Sequence, residues 1–315
     1  MKIKQWILIL IGAAMLALTI RVFLFETIRV TGLAMSESQE DGDRIFVEKW
    51  TLGARLPLTV GIPFAPDSLF GKKTFLSWGK GPKRSPAMGK IKRDDLLAFN
   101  DPLSEKILDR SPILLSRCVG LPGENFYMSK GKTVINGIKI TRNPDVSFCY
   151  SFPLQLKRSF EQVMKACKID RPVYHEKDSG FVYLTRREWL SLYKNNRQID
   201  IKLNLRVSSF DERRILIPAK GSKIELNDST YQLYGALINR YEGVRLNQDT
   251  SGLILKNGHR VRFHTFKENY YFLLNDHQGY LNDSRSFGLL PERCIIGKAW
   301  MVLLSPSSKS FLEKI

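Results

Sequence analysis

The chain has 315 residues, with 49 Lys and Arg against 31 Asp and Glu, a formal charge of +18. That length sets a prior of about two domains. Hydrophobic residues at 43% and aromatics at 11% can build a packed core, which excludes a disordered tail, a disulfide mini-protein and a collagen-like chain. One long apolar run excludes a multi-spanning transporter, and the basic balance leaves nucleic acid or an anionic membrane as partners.

The apolar run comes first. Trp6 to Ile20 is apolar or small throughout, and Val22 to Phe25 extends it past Arg21. As a helix it is long enough for a hydrocarbon core of roughly 30 Å. Arg21 near one end can snorkel to the headgroups, and Lys2 and Lys4 flank the other end. The positive flank predicts a single span with its N-terminus in the cytoplasm and everything after Phe25 outside. Ala14 and Ala17 offer the rival reading of a cleaved signal peptide. The apolar sequence continues beyond them without a clean A-x-A, so a retained anchor is the expectation.

Short β-like runs follow. Arg44 to Lys49, Leu96 to Phe99 and Ile113 to Val119 read as strands. Asn136-Gly137 inside Thr133 to Ile140 predicts a hairpin. Asn257-Gly258 predicts a second, between Leu253 to Leu255 and Val261 to Phe263. Tyr270 to Leu274 and Ile295 to Leu304 read as late core strands. Helices are few: Leu154 to Lys168, a segment opened by a Thr185/Glu188 capping box, and Thr230 to Tyr241. Lys72 to Lys92, rich in Gly, Pro and Lys, reads as an exposed basic loop. The sum is a mainly β, antiparallel protein with peripheral helices.

Cys118, Cys149, Cys167 and Cys294 show no CxxC spacing, which argues against zinc or a thioredoxin-like motif. Cys149 with Cys167 is the pair to test for a disulfide, against four buried thiols. The basic clusters Lys72-Lys73, Lys80 to Arg93 and Arg186-Arg187 lack the aromatic interleaving of an RRM or the spacing of a zinc finger. They are read as a surface lying against anionic lipid, not as a nucleic-acid site.

Several motifs stand in a telling order. Arg29-Val-Thr-Gly-Leu-Ala-Met35 follows the anchor, then Asp41-Gly-Asp-Arg-Ile-Phe-Val47 and Gly53-Ala-Arg-Leu-Pro57. Later come Gly89 to Asp94, Ser116-Arg-Cys-Val-Gly-Leu-Pro-Gly-Glu124, and Asn282-Asp-Ser-Arg-Ser-Phe-Gly288 with Pro291. This order resembles type I signal peptidases, the membrane-anchored serine endopeptidases of family S26, along essentially the whole chain. The long segments between motifs, including Gly180 to Leu190 and Lys220 to Glu242, look like the Bacteroidetes-type version. The resemblance implies cleavage of signal peptides at the outer membrane leaflet by a Ser nucleophile and a Lys base, without a metal or other cofactor. A Ser hydroxyl needs a base, and a Lys serves only when burial and neighbours lower its pKa.

The same resemblance exposes departures. The nucleophile position, just before Met35, is Ala34. The oxyanion Ser falls on Gly32, the general-base Lys on Ser116 before Arg117, and the supporting Ser on Leu281. The family's Gly-Asp-Asn-Arg run reads Asn275-Asp-His-Gln278. Retained are Met35, Arg117, Gly120, Pro122, Gly123, Asp283, Ser284, Arg285 and Gly288. Loss of the nucleophile in a serine peptidase costs about 10⁶ in turnover. The expectation is therefore a catalytically silent homologue that binds signal peptides, an active signal peptidase paralogue or another export component. The alternative is an active peptidase with displaced residues, for which Ser36 is the best nucleophile and Asp276-His277 a weak base pair.

On this reading the anchor is 1–25, the signal-peptidase-like core is 26–125 with 265–315, and an inserted β-rich domain is 126–264. The chain is placed in the bacterial inner membrane as a single-pass protein, with its bulk in the periplasm. Gly120 to Gly123 should fix a turn, and Asp283 with Arg285 should form an ion pair that orders its loop. Leu33 and Leu281 add bulk where the family is small or polar.

Overall fold

In a computed structural model we describe residues 3–32, 34–35, 39–61, 68–69, 72–77, 81–129, 132–141, 145–195, 202–203, 213–249, 251–306 and 311–314. Ser36 and Leu33 lie outside them. The fold is the mainly β one expected, an apolar helix followed by antiparallel strand pairs.

The N-terminal helix Ile3–Phe23 has 21 residues and none is buried. It is about 32 Å long at the α-helical rise. A helix apolar on every side with no protein covering it has the length and composition of a membrane span. Lys49 binds its C-terminal end: Nζ donates to the Arg21 carbonyl at 3.0 Å and pairs with Glu26 at 2.9 Å. A cation there also complements the helix dipole.

The chain divides into two compact units. One comprises Met1–Thr31, Gly42–Leu115 and Arg293–Ile315, the other Gly32–Asp41 and Ser116–Glu292. In the first, Phe25–Arg29, Arg44–Glu48, Ile295–Leu304 and Leu96–Asn100 lie side by side in that order. Alternation buries Ile45 and Val47 completely, while all five residues of Leu96–Asn100 are buried. At Gly297 a Cβ would lie 2.0 Å from the Glu48 carbonyl oxygen, so only glycine fits where the register shifts. Phe25, Trp50 and Trp300 cluster just after the helix, with Phe25 and Trp50 edge to face at 4.9 Å. The expected exposed loop needs correction. Phe75–Ser77 is a strand paired with Thr59–Gly61. Arg84 is partly buried, and its guanidinium donates to the carbonyls of Gly53 and Ile295. Carbonyl groups, rather than solvent, take that charge.

In the second unit, Tyr270–Leu274 pairs with the Arg117–Gly120 stretch of its neighbour strand and with Leu290–Pro291. Ile138–Ile140, Lys132–Ile135, Asn125–Ser129 and Arg214–Leu216 form one four-stranded sheet. Val173–Glu176, Ser179–Thr185, Ser147–Pro153 and Lys202–Leu203 form another. Phe126 stacks on Phe272 at 4.0 Å in the larger core.

Both Asn-Gly turns are present, with Asn136 and Asn257 at φ 51 and their glycines at φ 83 and 81. The second hairpin returns through His259–Arg260 rather than Val261 to Phe263. Phe263–Thr265 pairs instead with Lys223–Glu225, a tertiary partner that local pattern does not show. The helices that the sequence pattern predicts are present as Lys157–Ala166, Arg186–Asn195 and Asp228–Tyr241, and a short one, Ser284–Phe287, joins them. The Thr185/Glu188 capping box forms, with Thr185 N–H donating to Glu188 Oε2 at 2.8 Å and Glu188 N–H to Thr185 Oγ1 at 3.3 Å. All four cysteines are thiols, so Cys149 and Cys167 are not bridged.

Candidate functional site

The retained motif residues build a buried polar frame in the second unit. After the strand ending at Gly120, Gly123 takes φ +88 and donates its N–H to the Ile217 carbonyl at 2.7 Å. Leu121 N–H donates to the Glu124 carboxylate at 2.8 Å, which closes the turn around Pro122. At Gly120 a Cβ would approach Ile217 Cδ1 to 2.3 Å. The Gly-Leu-Pro-Gly motif is thus fixed by backbone conformation at one end and by close packing at the other.

Two guanidinium–carboxylate pairs complete the frame. Arg117 grips Asp276 through Nε at 2.9 Å and Nη2 at 2.6 Å. Arg285 grips Asp283 through Nε at 2.9 Å and Nη2 at 2.7 Å. It also donates to the carbonyls of Gln278 and Tyr280. Asp283 caps the short helix Ser284–Phe287 by accepting from Arg285 N–H. Its Oδ2 also accepts from Asn275 N–H at 2.9 Å. Ser284 Oγ accepts from Leu273 N–H at 2.9 Å, and Gly288 leaves the helix at φ +84. The expected Asp283–Arg285 pair is present. Bidentate geometry and full hydrogen bonding are what make such buried charges tolerable.

The positions where the resemblance implies catalytic side chains lie in the same unit as this frame. Ser116 is fully buried, and its Oγ donates to Asn275 Oδ1 at 2.6 Å. The resemblance puts Lys at 116 and Gly at 275. This chain has a short side chain at the first and a longer one at the second, and the two meet. Ala34 is half-buried, and its carbonyl accepts from His277 N–H at 3.1 Å. Positions 34 and 116 are therefore both tied to the 275–277 segment. Gly32 is exposed at φ +85, with its N–H on the Asp41 carboxylate at 2.9 Å. Met35 is buried and Leu281 is 38% exposed. Ala34 brings no nucleophilic atom, and Ser116 brings a hydroxyl already bonded and enclosed.

His277 was the weak base candidate, and its surroundings argue against that role. Burial, with the charges of Arg171 and Arg285, pushes its pKa down to about 4. Gly279 N–H donates to Nδ1 at 3.2 Å, so the neutral ring carries its proton on Nε2. Asp276, the would-be third member, is held by Arg117. Two features escaped sequence reading. Ser147 runs beside His277, with its N–H on the Asp276 carbonyl at 2.9 Å and its buried Oγ without a hydrogen-bond partner among the described residues. The His277 ring also walls a cleft of about 410 Å³ with Tyr174, Phe181, Tyr183 and Tyr280. No motif marks either, because the first arises where Ser147 meets the 276–277 segment and the second where Val173–Glu176 and Ser179–Thr185 meet residues 277–280.

An apolar N-terminal helix, an antiparallel β core and this glycine-turn and carboxylate frame define a class: mainly β proteins with one candidate membrane span. Residues 3–167 and 216–304 match the family described as signal peptidase, peptidase S26, and the chain belongs to that family. It is 27% identical over 137 residues to a protein named Signal peptidase I from Bacillus licheniformis. That stretch is 44% of this chain and 52% of the relative, so the chain matches about half of the relative's length.

Proposed function

We propose that this chain is a membrane-anchored S26 protein of the Bacteroidetes type without Ser–Lys chemistry, which binds signal peptides or a partner of the export machinery. The observation that carries the reading is the 2.6 Å hydrogen bond from a fully buried Ser116 to Asn275, which stands two residues before His277, whose N–H binds the Ala34 carbonyl. A hydroxyl that donates to an amide cannot act as the base another hydroxyl would need. The apolar helix, with Trp50 and Trp300 after it, supports an inner-membrane anchor with interfacial aromatics. On this reading the N-terminus is cytoplasmic, the bulk is periplasmic, and 126–264 is the family's inserted domain. Bound partners are signal peptides or an active paralogue, in contact with membrane lipids.

The test is preprotein cleavage in liposomes beside a known active signal peptidase. The chain is compared with Ala34→Ser/Ser116→Lys and with the same double variant carrying Asn275→Gly. The third change removes the carboxamide that stands where a lysine would reach. The expected result is no cleavage by the native chain and cleavage by the triple variant. Cleavage by the native chain overturns the silent reading and directs attention to Ser36. If no variant cuts, partner binding replaces signal-peptide binding as the better account.

A further inference from the structure

We propose that the cleft between the open edge of Val173–Glu176 and the 277–280 segment binds an extended peptide through a Lys or Arg side chain. The inference does not depend on whether the Ala34 position cuts, binds or is silent.

Four rings form a continuous wall. Tyr174 and Tyr183 meet edge to face at 6.1 Å, Tyr183 and His277 at 4.5 Å, and His277 and Tyr280 edge to face at 5.0 Å. Phe181 adds a fifth ring to the lining. Glu176, two residues after Tyr174 and so on the same face of the strand, contributes a carboxylate. The imidazole in the wall is neutral across the physiological range. The two guanidinium groups whose charge acts on the His277 ring are already engaged, Arg171 with Glu188 at 2.9 Å and Arg285 with Asp283 at 2.7 Å. Ring faces with one carboxylate, beside guanidinium groups already paired with carboxylates of their own, are the chemistry of ammonium and guanidinium recognition.

The strand edge supplies the peptide part. Val173–Glu176 pairs with Ser179–Thr185 on one side, and among the described residues no strand pairs with its other side. An unpaired edge offers alternating N–H and C=O groups to an added strand. Four residues span about 13 Å, matching a short extended peptide with one central side chain over the rings.

The experiment uses the full chain in lipid nanodiscs and fluorescence anisotropy of labelled, end-blocked pentapeptides of alternating Thr and Val. The central residue is Lys, Arg, norleucine or Glu. Tyr174 is 52% exposed and Glu176 is exposed, so Tyr174→Ala and Glu176→Gln leave the sheet's core untouched, which melting curves verify. The expected result is about fivefold tighter binding of the Lys and Arg peptides than of norleucine, with a similar loss in Tyr174→Ala. Glu176→Gln should erase the preference over norleucine. Equal binding of Lys and norleucine peptides, or no binding at all, overturns the proposal. So does indifference to both substitutions. Free lysine amide competing as strongly as the whole peptide removes the strand edge, and with it the peptide as ligand.

Discussion

Two neighbouring sets of residues in the second unit have different chemistry. The frame, Arg117–Asp276 and Arg285–Asp283 with Ser284, has its charges paired and its capping hydrogen bonds in place. The positions that the family resemblance aligns with nucleophile and base, 34 and 116, hold a methyl group and an enclosed hydroxyl. The contrast teaches that the frame is held by its own energetics, whatever those two positions hold. A buried carboxylate that loses its guanidinium is penalised at once, whereas a lost nucleophile leaves the fold intact.

That difference can be broken most strongly at the frame. Asp276→Ala removes the carboxylate that Arg117, a residue 8% exposed, grips through two nitrogens, and should cost about 3–5 kcal/mol in denaturant unfolding. Ala34→Ser, by contrast, should leave the unfolding curve within about 0.5 kcal/mol. If the two substitutions cost the same, the contrast fails.

At the boundary between the sets, Ser116→Ala removes a hydroxyl donor to Asn275 Oδ1 and should cost about 1–3 kcal/mol. In an Asn275→Ala background the same change should cost clearly less, since the partner is already gone. Additive effects would show that the 2.6 Å contact has no stabilising role.

Acid probes His277. The unfolded chain takes up its proton near 6.5, while the folded chain does so only near 4. The folded state therefore binds fewer protons within that window, so stability falls as pH drops from about 6.5 to about 4. His277→Gln should remove this share of the slope, read from unfolding midpoints across pH. An unchanged slope would show that the ring is protonated as easily folded as unfolded.

The smallest effect lies away from the frame. Thr185→Ala removes one half of a capping box and should cost about 1 kcal/mol by thermal melting. It should leave the response to Asp276→Ala additive.

Periodicity and turn chemistry were enough to locate most of the local structure. Asn136-Gly137 and Asn257-Gly258 demand positive φ at both positions, and both turns formed. Thr185 with Glu188 announced a helix start because the box is a contact within four residues. Arg84 was misread as a solvated charge because its partners, the Gly53 and Ile295 carbonyls, lie far along the chain. Val261 to Phe263 was given to the second hairpin for the same reason, whereas Phe263–Thr265 pairs with Lys223–Glu225.

At the candidate site, the sequence by itself determined which atoms are present: no hydroxyl at 34, no amine at 116, and an intact Asp283-Ser-Arg285. Composition at a position is a local fact. Only the tertiary structure decided that Ser116 meets Asn275, that Ala34 meets His277, and that four rings line up beside an open strand edge. The Ala34–His277, Ser116–Asn275 and Tyr183–His277 contacts join residues 243, 159 and 94 positions apart, and packing of distant segments, rather than any periodic pattern, selects them.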